Sequence, residues 1–235
     1  MKRILLTLYV LLTFGLSGHA QSLTLEYNFG YGDYRMSEMK DYLKDAEIPF
    51  DGAEIVDNFP GYLTQDTRVG MEWGNHHFGV LFNYMNTAGK RGLTDYSGHY
   101  YFEMRDKGYK LGAFYRFRLA NEPLGFLTFQ PYLQLSAGAV LNKVKLSEDM
   151  FFDLLPDQTF INERKLSGTN FFVEPAFGVK IGLCRYAALN VSVGYEWDPF
   201  KGLHASDSGA PAVFDADWSG YRTQVGLIFY WHLKK

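Results

Sequence analysis

Leu23, Leu25, Tyr27, Phe29 and Tyr31 stand at every second position of one segment, with Thr24, Glu26, Asn28 and Gly30 between them. A strand sends successive side chains to opposite faces, so this period of two specifies an extended segment with one apolar and one polar face. The same alternation recurs in seven further segments and closes the chain, where Val225, Leu227, Phe229, Trp231 and Leu233 alternate with Gln224, Gly226 and His232, preceded by Arg222. Strands are expected at 22–32, 62–73, 77–86, 108–119, 127–141, 170–183, 187–197 and 219–233. No apolar run after residue 21 reaches the about 20 residues of a membrane helix, so any spanning falls to strands of roughly 9 to 11 residues.

The connections alternate in length. Gly74 to His76, Ala120 to Phe126 and Cys184 to Tyr186 are short; 33–61, 87–107, 142–169 and 198–218 are long. No Ser/Pro/Gly-rich linker divides residues 21–235, which read as one domain. Pro131 and Pro175 fall inside expected strands, where a missing N–H predicts a bulge or a frayed rim.

Periodicity leaves open which face turns inward, because a soluble lipocalin-like barrel has the same period with its apolar face inside. The glycines decide. Gly30, Gly70, Gly79, Gly112, Gly138, Gly178, Gly194 and Gly226 all lie on the polar face, and a narrow eight-stranded lumen has the steric need for them that a solvated face lacks. The apolar face therefore turns to lipid. Tyr31, Tyr84, Phe171, Trp197 and Tyr221 then make one aromatic girdle, and Trp73, Tyr115, Phe117, Phe129, Phe229 and Trp231 the other. The expectation is an all-β fold: an eight-stranded antiparallel up-and-down transmembrane β-barrel with long extracellular loops and short periplasmic turns. The inward face carries Glu26, Arg68, Glu72, Lys110, Arg116, Arg118, Glu174, Lys180, Glu196 and Arg222, four acids against six bases. Isolated charges are costly in so tight a space, so these side chains are expected to pair across the lumen and fill it. The alternative is that they line a small pore.

Residues 1–20 have the make-up of a secretory signal peptide: Lys2 and Arg3, an apolar stretch from Ile4 to Leu12, and a small-x-small site at Gly18-His19-Ala20. Export to the cell outer membrane with periplasmic termini follows as the expected location. Without Lys2 and Arg3, 21 basic residues face 26 acidic ones, a formal charge of −5, which gives no reason to expect a nucleic-acid partner. Cys184 is the one cysteine and can form no internal disulfide.

Gln224-x-Gly226-x-x-Phe229-x-Trp231 resembles the sorting signal by which bacterial outer-membrane barrels reach their assembly machinery, although His232 to Lys235 follow the last aromatic. With the leader and the eight strands, the chain is similar to the small OmpA/OmpX-like outer-membrane β-barrel families of Gram-negative bacteria. What the resemblance implies is insertion by the barrel assembly machinery, outer-membrane lipid as a partner, and a role in surface interaction or envelope integrity.

No catalytic constellation stands out, and no cofactor is expected. Asp95, Ser97 and His99 are of suitable type for acyl chemistry, yet a hydrogen-bonded turn explains them on a loop of this composition. His76 and His77 are expected in a periplasmic turn, adjacent side chains of an extended segment point apart, and no metal site is expected. In the first long loop Met36, Met39 and Leu43 recur at helical spacing, predicting a short amphipathic helix that caps the barrel mouth. In the third, Phe151, Phe152, Leu154, Leu155, Phe160 and Ile161 are expected to fold back on the mouth, the alternative being a contact with a partner or lipid. An extracellular ligand is expected to use the loops 33–61 and 142–169. A structural or interaction barrel, a small-solute or ion pore and a lipid-modifying enzyme are the functions compatible with such a chain.

Overall fold

The computed structural model describes residues 22–46, 52–153 and 159–232; the leader, Leu154, Leu155 and Leu233 lie outside the described residues. Its strands are β1 (Ser22–Gly32), β2 (Glu54–Asn58), β3 (Tyr62–Trp73), β4 (His76–Asp95), β5 (Gly98–Arg118), β6 (Glu122–Leu124), β7 (Leu127–Phe152), β8 (Phe160–Cys184), β9 (Ala187–Phe200), β10 (Leu203–Ala205) and β11 (Gly220–His232), with one helix, α1 (Ser37–Asp45). Eight of the strands close on themselves. β1 pairs with β3, and the ring continues through β4, β5, β7, β8 and β9 to β11, which pairs back onto β1, every pairing antiparallel. The expected eight-stranded up-and-down barrel is therefore the fold, and closure leaves no free edge within the ring.

Two expected loops are strand instead. β4 and β5 run on to a turn at Tyr96-Ser97, and β7 and β8 stay paired as far as Met150↔Phe160, so 87–95, 98–107, 142–152 and 160–169 are hairpin walls. At about 3.3 Å per residue, the 142–152 wall rises roughly 35 Å along its strand beyond the expected end. The cause is a reversal of polarity at constant register. In the lower barrel β5 turns Tyr115 and Phe117 outward and Arg116 and Lys110 inward; beyond Gly108 it turns Arg105 and Lys107 outward and Met104 and Tyr100 inward. β7 does likewise, changing from Leu133 and Leu135 outside to Lys143 and Lys145 outside, with Val140 and Val144 inside. The side chains keep their period while the medium outside changes from lipid to water.

Around the lower barrel the outward face is apolar on every strand, and Phe171, Trp197, Tyr221 and Trp231 are 56, 57, 64 and 54% exposed. A continuous exposed band of this kind has no stable place in water. At the lower rim the connections are short, a Gly74-Asn75 turn with Gly74 at φ 60° and an Arg185-Tyr186 turn, plus the small β6 hairpin. The prolines are accommodated at breaks in pairing. Pro131 lies one residue past the last β5–β7 pair, Arg118↔Tyr132, and the β8–β9 ladder passes over Glu174 and Pro175 before resuming at Ala176↔Gly194.

The hydrophobic core sits at the upper mouth. Met36, Met39 and Leu43 pack fully buried against Tyr34, Phe59, Met85, Met104, Val144, Leu166, Phe214 and Trp218. α1 is thus the expected cap on the barrel. Lys40 N–H donates to Met36 O (2.9 Å) to open it, and the Arg91 guanidinium donates to Lys44 O (2.7 Å) and Ala46 O (3.4 Å) at its end, where free carbonyls attract a cation. The apolar cluster of the third loop does not fold back: Phe151, Phe160 and Ile161 lie exposed near the tip of the β7–β8 hairpin, because the strands carry them away from the mouth.

Candidate functional site

Charged side chains fill the lumen in three tiers. Lowest, Lys180 of β8 is ion-paired with Glu72 of β3, and its ammonium is 3.1 Å from His77 Nδ1; the other ring nitrogen of His77 is 2.8 Å from Thr24 Oγ1. In the middle tier Arg116 of β5 donates twice to Glu26 of β1 (2.5 and 2.8 Å), and Asn28 and Asn190 donate to the same carboxylate (2.8 and 3.0 Å). Arg68 lies 3.6 Å from Glu26 and 2.7 Å from Asp66, the latter contact bent away from hydrogen-bond geometry, and it donates to Gln134 (2.8 Å) and Gln224 (2.7 Å). In the upper tier Lys110 lies between Glu174 and Glu196 (2.8 Å to the latter), and Arg222 Nε donates to Glu196 (3.1 Å).

Arg118 stands apart from this set. Its guanidinium reaches Gly74 O (2.5 Å) and Asn75 Oδ1 (3.2 and 3.4 Å) at the lower rim, because β5 ends there and the turn offers the nearest acceptors. Asp66 takes the vacant place in the count; it shares the parity of Arg68 and Glu72 on β3, which is the signal that identifies it. Five carboxylates (Glu26, Asp66, Glu72, Glu174, Glu196) then face five cations (Arg68, Lys110, Arg116, Lys180, Arg222), in place of four against six. His77 belongs to the lumen as well, not to a turn: β4 starts at His76, so His76 faces outward onto Tyr115 (2.7 Å) and His77 inward.

Inward-pointing rings lie against the lumen cations. Arg116 lies over Tyr132 (4.7 Å) and Phe114 (5.2 Å), and Lys110 over Phe172 (4.1 Å). Glycines make room for them: a Cβ at Gly112 would stand 2.9 Å from Phe172 Cζ, and one at Gly70 3.0 Å from Phe114 Cζ. Sequence alternation alone hides these rings, since each is an apolar residue at a polar position. The hollow left among Glu72, His77, Arg116 and Lys180 measures about 10 Å³. That is room for one water at most.

Above the tiers the mouth is sealed. Trp218 Nε1 donates to Asn142 (2.7 Å), its ring meets Tyr34 edge-on at 4.8 Å, and Arg222 donates to Asp33 O (2.8 Å) and to Trp218 O. Outside the seal, two open hollows of about 390 and 750 Å³ lie between α1 and the hairpin walls, both lined by Tyr42, Leu146 and Arg164. Tyr42 is flanked there by Phe214 (4.8 Å) and Phe102 (6.3 Å). Hollows of this size match small-ligand sites.

Asp95 and Ser97 form a turn, and His99 lies in β5 beyond it. Asp95 Oδ1 accepts from Ser97 N–H (2.8 Å), Ser97 Oγ (2.7 Å) and Gly98 N–H (3.1 Å), while His99 is stacked beside Tyr101 and Phe151 with Nε2 3.7 Å from Asp149. Gln224 faces the lumen, with Phe229 and Trp231 exposed on the lipid side and Gly226 against β1.

No protein-family model matches the chain, and no curated protein matches it. Among solved structures it is similar to OprG of Pseudomonas aeruginosa (12% identity, covering 91% of this chain and 97% of that one, TM-score 0.47). It is also similar to Ail of Yersinia pestis in complex with the heparin analogue sucrose octasulfate (11%, 90% and 97%, 0.37) and to the outer membrane protease OmpT of Escherichia coli (10%, 89% and 95%, 0.39). Likenesses this distant add nothing to the strand order. That order, with the lipid-type exterior and the ion-filled interior, makes the chain an eight-stranded antiparallel transmembrane β-barrel.

Proposed function

We propose that this chain is an integral outer-membrane barrel that serves as a structural or surface-interaction scaffold, non-catalytic and non-conducting. The observation that carries this reading is the filling of the lumen: three tiers of mutually paired charges below, and the α1 cap with Trp218 above. A conducting path needs either water or mobile charge along the axis, and here each lumen cation already has a fixed partner. The short turns and both termini then lie in the periplasm, and the β4–β5 and β7–β8 hairpins stand outside the cell. Signal-directed export, delivery by the barrel assembly machinery through Gln224, Gly226, Phe229 and Trp231, and insertion into outer-membrane lipid complete the reading. Contacts with an extracellular ligand fall to 33–61 and 142–169, whose α1 and hairpin walls border the two hollows.

The test is electrical. Purified protein whose folding is established by a heat-dependent shift in electrophoretic migration is added to planar bilayers. Absence of stable conductance steps is the expected result, and large persistent steps from heat-shifting protein overturn the reading in favour of a pore.

A further inference from the structure

The register of the hairpin walls assembles a ladder of cations on the outer surface. Lys107 pairs with Lys143 across β5 and β7; one outward step higher, Arg105 pairs with Lys145, which pairs with Lys165 of β8. All five are exposed, and the residues between them, Met104, Asp106, Val144 and Leu166, are buried, so the five share one face. Neighbouring strands lie about 4.8 Å apart and outward positions about 7 Å apart, which gathers five cations into roughly 10 by 7 Å. Two are answered by carboxylates, Arg105 by Glu103 (2.6 Å) and Lys145 by Glu163 (2.5 Å). Among the described residues, no carboxylate lies within ion-pair distance of Lys107, Lys143 or Lys165. Like charges directly opposite across an antiparallel pair are destabilising. A face built this way calls for an anion.

Its height identifies which anion. Immediately below Lys107 and Lys143 in the same columns are Tyr109 and Leu141, followed by Leu111, Ala139 and Phe171 of the apolar band. With strands tilted about 45°, each outward step climbs roughly 5 Å, and a headgroup layer is about 5 to 8 Å deep. The first rank therefore lies at the level of lipid phosphates and the second at their upper edge. Lys143 has its ammonium 5.5 Å from the centre of the Tyr109 ring one step below it, which holds this charge close to the interfacial aromatic.

We propose that Lys107, Lys143 and Lys165, supported by Arg105 and Lys145, form a binding site for the phosphate groups of lipid headgroups in the leaflet from which the hairpins emerge. The site rests on the membrane-embedded reading given above. Each lysine at a charged lipid surface contributes about fivefold in affinity, so three contribute roughly a hundredfold.

The test compares wild type with Lys107→Gln/Lys143→Gln/Lys165→Gln, substitutions on an exposed face that leave the barrel interior untouched. Both proteins are first checked for the heat-dependent migration shift, which reports the embedded barrel independently of lipid binding. Each is then titrated in neutral phosphatidylcholine nanodiscs doped with bisphosphorylated lipid A or with the same lipid stripped of phosphate, and bound lipid is counted by native mass spectrometry. The expected result is retention of the phosphorylated lipid by wild type, weaker retention of the stripped lipid, and a loss of roughly a hundredfold in the triple variant. Equal retention of stripped and phosphorylated lipid overturns the site, as does wild-type retention by the triple variant. Displacement of the lipid by equimolar inorganic phosphate assigns the ladder to a soluble anion and overturns the lipid assignment.

Discussion

Replacing Glu26 by Leu removes the hub of the middle tier. Its carboxylate accepts two bonds from Arg116, one from Asn28 and one from Asn190, and it lies 3.6 Å from Arg68. With a leucine there, Arg68 keeps Asp66, while Arg116 loses its carboxylate and keeps one hydrogen bond, to the neutral Gln134 (2.5 Å), and the Tyr132 and Phe114 rings beneath it. Stranding one member of a buried ion pair costs about 3 to 5 kcal/mol. The two amides that lose an acceptor are held by other partners, Asn28 by Asp66 (3.0 Å) and Asn190 by Asn28 (3.1 Å), so they add little. Removing Arg116 as well, as Glu26→Leu/Arg116→Met, takes away the stranded charge and leaves an apolar pair beside Tyr132 and Phe114. The double variant is therefore expected to be more stable than Glu26→Leu alone, with a coupling of about 2 to 3 kcal/mol between the sites. Reversible urea unfolding in lipid vesicles, followed by tryptophan fluorescence and by the gel shift, measures each corner of the cycle. The slope with urea must stay constant for the comparison to hold. A cost below about 1 kcal/mol for Glu26→Leu, or simple additivity in the double variant, refutes the idea that a buried charge network holds this lumen together.

Asp106 lies just above the membrane-spanning part of β5, fully buried, and burial pushes its carboxyl up to about 7 against the opposing pull of the Lys107 backbone N–H. Because the folded protein holds this proton more tightly than the unfolded chain, stability falls between pH 4 and pH 7 and levels off above, by up to about 4 kcal/mol. Asp106→Asn flattens that decline and raises the urea midpoint at pH 8; an unchanged slope refutes it. Met39→Ala/Leu43→Ala opens cavities under α1 at about 2 to 4 kcal/mol each, so proteolysis within 33–61 accelerates while the gel shift and the closed electrical state persist. Single-tryptophan variants read the two faces: brominated lipid quenches Trp73, Trp197 and Trp231, which are 53, 57 and 54% exposed, and spares Trp218, which is fully buried. Quenching of Trp218 as strong as that of Trp231 means that the barrel is inside out.

The membrane half of the fold was legible because one rule governs it. β1 and β3 end where alternation ends, at 22–32 and 62–73, and the ring order follows from hairpins. The hairpin walls were not, because their alternation has the opposite sign, with the apolar residues inside. From Lys90 to Lys107 and from Lys143 to Lys165 many outward positions are charged or polar, the composition of a loop, although Met104, Tyr100, Val144 and Leu166 continue the period on the inner face. In the lumen, nine of the charged residues read from alternation do line it. Asp66 shares their parity and joins them, and Arg118 shares it but lies at the rim, where the strand has ended. Phe114, Tyr132 and Phe172 needed three-dimensional information, since an inward ring is tolerated only where a glycine on a neighbouring strand yields space.

The two halves of the molecule answer to different physics, which limits what each can do. In the lower barrel the outer face is given to lipid, so the interior cannot be apolar without making the strand apolar on both sides, and it is filled by ion pairs that tolerate neither removal nor movement of one member. At the mouth water surrounds the walls, the apolar residues turn inward, and Met39, Leu43, Phe214 and Trp218 form the only large core among the described residues. A core of this kind loosens by side-chain loss without unpairing any charge below it. Displacing α1 therefore exposes the upper mouth and the two hollows while the tiers of Arg116, Lys110 and Lys180 stay shut. A ligand that shifts α1 is therefore to be sought by its effect on the hairpin walls beside the two hollows instead of by a current through the barrel.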